Sequence, residues 1–185
     1  MNHPLEDKPN QTVVLVDSEG KPNGKISDRK TAHSTPGKKH LAIQVLVFNP
    51  QNELILHERP LQKVGGGVLD SPTTHVLAGE TPEQAAFRCL RDEYGISTRL
   101  PITLLSGFSY EKDYGDGSCE NEFCLAAFCT YSGTITPNPE QVSKIVKISA
   151  FTVAKELSSK PEKYPVWFHD TIKIVKNSKE GKMFF

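Results

Sequence analysis

Charge of one sign is what this sequence lacks first. Lys and Arg together number 22, and so do Asp and Glu, so no net field favours nucleic acid or an acidic membrane surface. Any basic patch has to be local. Cysteine is scarce, and Cys89, Cys119, Cys124 and Cys129 form neither a C-x-x-C pair nor a zinc-finger spacing. Three of them fall in or directly before one predicted strand, which reads as buried, reduced thiols and suits a cytosolic protein. No apolar run approaches a membrane span, and the stretch Met1 to Gln11 is polar with two prolines and no apolar core. The expectation is a cytoplasmic protein with neither membrane nor nucleic-acid partner, as monomer or homodimer. Repeats, low-complexity tracts and linkers are absent too. A chain of 185 residues is then expected to form a single domain, burying ~70% of its unfolded surface. That domain is predicted over 12–177, with a flexible tail at 1–11 and another at 178–185.

What is present is a mixed order of strands and helices. Val13 to Asp17 reads as a strand, followed by a turn-rich segment from Ser18 to Gly24. His40 to Asn49 is the strongest apolar run, turned by Pro50-Gln51-Asn52 into a hairpin partner over Glu53 to Glu58. Val64 to Val68 carries three glycines, does not fit a phosphate-binding G-x-x-x-x-G-K-[ST] loop, and reads as flexible connection. Further strands are predicted over Ile102 to Tyr110, Glu120 to Tyr131, Thr134 to Thr136 and Lys144 to Val153, with Glu111 to Ser118 as a loop. Ala154 to Ser159 and Trp167 to Lys176 read as helices. The class is α+β, a mixed β-sheet packed between helices.

One helix carries signals at both ends. Thr81 is placed as N-cap, Pro82 at the first helical position and Gln84 to complete a capping box. Gly95 is placed to end it in a left-handed turn. Phe87, Leu90 and Tyr94 recur at helical spacing as an apolar stripe, with Arg88, Asp92 and Glu93 to one side. A loop with His75 and Glu80 leads into it. Such a loop, followed by a helix ending in carboxylates, suits a divalent cation.

Elsewhere, Glu120 and Glu122 lie two apart in a strand and therefore on one face. That face continues as Cys124, Ala126 and Phe128, which places the carboxylates at the mouth of a covered site. His33, His40 and His75 carry little weight singly. Imidazoles with carboxylates suit manganese, zinc or iron, whereas carboxylates with phosphate oxygens suit magnesium.

The stretch Thr73 to Ile96 resembles the Nudix box, G-x5-E-x7-R-E-U-x-E-E-x-G-U with U aliphatic. Glu80, Arg88, Leu90, Asp92, Glu93, Gly95 and Ile96 match or nearly match, while Thr74 replaces the first glycine and Cys89 the first glutamate of R-E-U-x-E-E. From about Val13 to Lys176 the chain further resembles type I isopentenyl-diphosphate isomerases, Nudix-fold enzymes. Their pattern has two separated histidines, then T-N-x-x-C-x-H-P-x-x-G-E, then E-N-E. Here His33 and His40 precede Ser71 to Glu80, and Glu120-Asn121-Glu122 follows.

The resemblance implies a metal site of His33, His40, His75, Glu120 and Glu122, holding Mn2+ or Zn2+. It implies Mg2+ at Glu93, shared with the diphosphate of a small-molecule substrate. Arg29, Arg59, Lys63 and Arg88 would bind that substrate, Trp167 would face a developing carbocation, and Glu122 with Tyr110 would carry acid chemistry. Thr73 stands where the family has its catalytic cysteine. A thiol cycles to thiolate near neutral pH, but an unactivated hydroxyl does not serve as a base. Three readings stay open: an allylic isomerase with another base, a Nudix pyrophosphohydrolase using metal-activated water, and a non-catalytic diphosphate-binding protein.

Overall fold

The computed structural model of the protein describes residues 10–63 and 65–185. The tail expected at 1–11 therefore lies, except for its last two residues, outside the described residues, as does Val64 of the glycine-rich connection. Nine strands form one mixed assembly: β1 (Thr12–Val16), β2 (Pro22–Asp28), β3 (His40–Phe48), β4 (Glu53–Glu58), β5 (Leu69–Asp70), β6 (Thr73–His75), β7 (Thr103–Asp113), β8 (Cys119–Thr130) and β9 (Lys144–Ser149). Four helices accompany them: α1 (Arg29–Ala32), α2 (Pro82–Tyr94), α3 (Ala150–Ser159) and α4 (Val166–Asn177).

The centre of the sheet is β3, buried along its whole length. It runs parallel to β8 from His40↔Glu122 to Phe48↔Thr130, and antiparallel to β6 with Ala42↔His75 and Gln44↔Thr73. Strand β4 pairs with β9 and β5, and β7 forms a hairpin with β8. Because side chains alternate along a strand, β3 serves two cores. Leu41, Ile43, Val45 and Val47 join the core that contains Leu90 and Tyr94 of α2. Leu46 and Phe48 join the opposite core, with Trp167, Phe168 and Ile172 of α4. Truncating a fully buried leucine such as Leu90 to alanine costs about 2–5 kcal/mol. On the α4 side the strand ends nearest His40 carry polar residues, and the site lies there.

Helix α2 starts as its sequence requires. Thr81 Oγ1 accepts from Gln84 N and Gln84 Oε1 accepts from Thr81 N, both halves of the capping box. Gly95 ends it at φ 68°, where an added Cβ would sit 2.6 Å from Thr136 O. All four cysteines are free and buried.

Several expected boundaries are corrected. Strand β2 takes the second half of the segment read as turns, because residues 22–28 pair with β1 despite their exposure. Strand β7 runs to Asp113, and Glu111, Lys112 and Asp113 pair with Asn121, Glu120 and Cys119, leaving only 114–118 as the loop. Thr134 to Thr136 is not a strand; Ile135 packs on the core while Thr136 N donates to Tyr94 O. Strand β9 stops at Ser149, whose Oγ caps α3 by accepting from Thr152 N, so that helix starts at Ala150 rather than Ala154. Phe87 is only half-buried; the inward face of α2 is Ala85, Ala86, Cys89, Leu90, Glu93 and Tyr94. At the far end of the chain, Phe184 stacks on Phe48 with centroids 4.0 Å apart.

Candidate active site and metal centre

Five side chains from four elements meet at the polar end of this face. His33 follows α1, a single turn whose start is capped by Asp28 accepting from Thr31 N. His40 opens β3, His75 closes β6, and Glu120 and Glu122 project from β8. One ligand atom from each lies within 4.8 Å of every other. The imidazole centroids are 4.6 to 5.0 Å apart. His33 Nε2 is 3.0 Å from Glu120 Oε2, and His40 and His75 Nε2 are 3.3 and 3.0 Å from Glu122 Oε1.

This set fits a divalent cation, on the evidence of its own hydrogen bonds. His33 Nδ1 lies 2.8 Å from Arg29 O and His40 Nδ1 2.7 Å from Lys38 O. A carbonyl only accepts, so each Nδ1 carries a hydrogen, and in the neutral tautomer that this defines each Nε2 lone pair turns on a carboxylate. Acceptor then faces acceptor. His33 Nε2, His40 Nε2 and Glu120 Oε2 are indeed buried without a hydrogen-bond partner, an arrangement that a shared cation relieves. Burial drives the His75 pKa down to about 3, which keeps it in the neutral, ligating form. Burial also works against charge on His33, yet Glu120 raises its pKa, so proton and cation would compete for one lone pair. Burial lifts the Glu120 carboxyl above its usual range.

Around this cluster lie the other residues singled out in the sequence. Tyr110 Oη donates to Glu122 Oε2 at 2.6 Å, and burial, then Glu122, holds the phenol protonated far above its ordinary pKa. The Tyr110 and Trp167 rings are 5.6 Å apart. Arg59 stands 5.5 Å over the Trp167 ring and donates from Nη1 to Asp70 at 2.8 Å. Burial opposes its charge, but Asp70 and then Glu93 sustain it. Lys63 Nζ donates to Gln141 Oε1. Burial, then Arg59 and Lys63, lowers the pKa of buried His57 to about 3. Arg29 is half-buried and enters the site through the carbonyl that holds His33.

Thr73 does not present a free hydroxyl. It donates to Ser71 O at 2.8 Å and accepts from Gln44 Nε2 at 3.0 Å. Arg88 faces the loop rather than the cleft. Its guanidinium grips Glu80 through Nε at 2.6 Å and Nη2 at 2.8 Å, and also donates to Thr74 Oγ1 and His75 O. Glu93 is buried, while Asp92 pairs at the surface with its neighbour Arg91 at 2.8 Å.

Three residues went unnoticed in the sequence. Asp70 is wholly buried among Arg59, Gln44 and Trp167. Gln44 bridges Asp70 and Thr73. Tyr114, on the β7–β8 turn, has its pKa raised by burial and then by Glu120 and Glu122. Only Asp70 had a signal, since it occupies the N position of T-N-x-x-C-x-H.

The NUDIX domain family matches residues 38–168. The chain is 32% identical over 161 residues to a protein named isopentenyl-diphosphate Delta-isomerase from Pectobacterium atrosepticum, covering 86% of this chain and 88% of that one. It is 29% identical over 157 residues to one of the same name from Citrobacter koseri, covering 84% and 86%. Among solved structures, DR0079 from Deinococcus radiodurans superposes with TM-score 0.65 at 16% identity, covering 88% of this chain and 97% of that one. Dihydroneopterin triphosphate pyrophosphohydrolase of E. coli does so with TM-score 0.53 at 18% identity, covering 80% and 99%. At such identities these structures speak for the fold alone.

Proposed function

Since the chain belongs to the Nudix domain family, as an enzyme resembling its isopentenyl-diphosphate isomerases, we propose that it is a divalent-metal-dependent enzyme acting on a small diphosphate compound by isomerase-type proton transfer. The observation that carries this is the five-residue cluster, with His33, His40 and Glu122 buried and His75 and Glu120 half-buried, whose histidine and glutamate atoms lie within 4.8 Å of one another with Tyr110 bonded to Glu122. His33, His40, His75, Glu120 and Glu122 would hold Mn2+ or Zn2+, and Glu93 an Mg2+ shared with the substrate. A cation there supplies positive charge that lets two neighbouring carboxylates stay ionised and orients the groups around it.

The protein's own residues do the rest. Tyr110 keeps its proton and directs it at Glu122 Oε2 across 2.6 Å, and the pair would carry the acid side of the reaction. Arg59 and Lys63 supply positive charge for the diphosphate, and Arg29 braces His33. The Trp167 face, with Arg59 over it, forms the wall along the organic group. Thr73 has its hydrogen committed to Ser71 O, so it is no base. The proton on the opposite side must leave to another acceptor, such as bound water.

That same feature favours the second reading, hydrolysis, which needs no thiol. Against it, Cys89 and the surface-paired Asp92 leave Glu93 as the one buried carboxylate among the three carboxylate positions of the R-E-U-x-E-E helix. The test is one incubation in deuterated water with Mg2+ and Mn2+, using isopentenyl diphosphate and a nucleoside-diphosphate panel. Deuterium in an allylic product is the expected outcome, and Thr73→Cys should raise that rate roughly tenfold by restoring a titratable base. Released phosphate or nucleoside monophosphate selects hydrolysis. Binding without product selects a non-catalytic role.

A further inference from the structure

Four N–H groups converge on one buried side chain that the proton chemistry above does not use. Asp70 Oδ1 accepts from Gln44 Nε2 at 2.7 Å and from Ser71 N at 2.8 Å. Oδ2 accepts from Arg59 Nη1 at 2.8 Å, and Trp167 Nε1 lies 3.3 Å from both oxygens. Every one of these partners is a donor. A protonated carboxyl would leave its own hydrogen without an acceptor, so Asp70 is the anion, balanced by Arg59. Gln44 lies on β3 and Trp167 on α4, while Arg59 follows β4 and Ser71 follows β5. Gln44 extends the lattice one step further, because its Nε2 also donates to Thr73 Oγ1. Leu69, Asp70 and Thr73 are the three positions at which the chain departs from the T-N-x-x-C pattern, and two of them, Asp70 and Thr73, belong to this lattice.

We infer that Asp70 is a positioning residue, fixing the Arg59 guanidinium, the Trp167 indole and, through Gln44, the Thr73 hydroxyl as one wall beside the His/Glu cluster. An anion that engages Arg59 is then felt at Trp167, about which the same carboxylate is wrapped. The inference rests on the proposed function only in assigning Arg59 to the anion end.

Asp70→Asn is a selective probe. The amide keeps an acceptor at Oδ1 for Gln44 and Ser71, but turns an N–H toward Arg59 Nη1, donor against donor. Trp167 is the single tryptophan of the chain, so its emission reports this one position. The experiment compares the full-length parent and variant, with Mg2+, alone and titrated with inorganic pyrophosphate. We expect the unliganded emission of the variant to differ from the parent. We also expect the pyrophosphate-induced change to shrink roughly tenfold, while the pyrophosphate Kd stays within roughly threefold, since loss of an anion does not repel an anion. On a turned-over substrate, kcat should fall roughly tenfold with KM little changed.

Parent-like emission and response in Asp70→Asn overturns the inference, as does an equal loss of pyrophosphate binding and emission response, which would mean a merely structural role. If Asp70→Asn does not fold, Arg59→Lys replaces the fork with a point charge, and emission unchanged in that variant overturns it as well. Should pyrophosphate fail to bind the parent at all, the functional reading fails. The difference between the two unliganded spectra still decides the role of Asp70.

Discussion

The two halves of the family pattern behave differently in this protein. At the histidine–glutamate cluster, five candidate ligands meet, and His33 Nε2, His40 Nε2 and Glu120 Oε2 are buried there without a hydrogen-bond partner. Along the α2 box, the charges face other charges: Glu80 is gripped by Arg88, Arg91 pairs with Asp92, and Cys89 is a buried thiol. An unsatisfied polar cluster costs stability and is tolerated where a ligand completes it. A satisfied one stabilises the fold. The comparison therefore separates a part of the family pattern whose polar atoms are left open from a part where Glu80 and Asp92 are closed by ion pairs of their own.

The largest expected effect falls on the cluster. Glu122→Gln removes the carboxylate that faces two imidazoles and Tyr110, and should abolish the bound-metal stoichiometry and lower turnover on the order of a thousandfold, ~4 kcal/mol. Elemental analysis of the purified protein and a rate assay check it; a variant with full metal and full rate would erase the distinction between the halves. Next comes Arg88→Ala, which removes the guanidinium bonds to Glu80 and the His75 carbonyl and leaves Glu80 only the Leu77 amide. We expect about 2–3 kcal/mol of lost stability in denaturant unfolding, with metal stoichiometry retained. If instead metal is lost and stability kept, the box has a direct part in the chemistry. The smallest effect sharpens the boundary within α2. Glu93→Gln should weaken Mg2+ dependence roughly tenfold, whereas Asp92→Asn should stay within ~0.5 kcal/mol in stability and leave the Mg2+ titration unmoved.

How much of this was legible depended on how local the cause was. The capping box of Thr81 and Gln84, the left-handed Gly95 and the buried run of β3 are set by neighbours in sequence, and all were readable. Glu111 to Asp113 looked like loop because a hairpin rising out of the sheet into solvent has no apolar alternation to betray it. Thr134-Ile135-Thr136 looked like strand from side-chain preference alone, which tertiary contacts with Tyr94 override. In the site, the resemblance named His33, His40, His75, Glu120 and Glu122, and the folded chain gathers those five. Arg88 was read as a substrate contact, and its donors turn out to hold the loop. Asp70 could not be assigned a role, because its partners Gln44, Arg59 and Trp167 stand 26, 11 and 97 residues away.

The parallel pairing of β3 with β8 has a consequence in time. It brings His40 beside Glu122 across more than eighty intervening residues, and contacts of such separation form late because the loop must close first. His33 and His40 are close in sequence and can meet early, but Glu120 and Glu122 arrive only with the sheet. A cation held there would therefore be no seed for folding. Once the strands have met it would act as a brake on their parting, so added metal should lengthen the lifetime of the folded chain while leaving its folding rate nearly as it was.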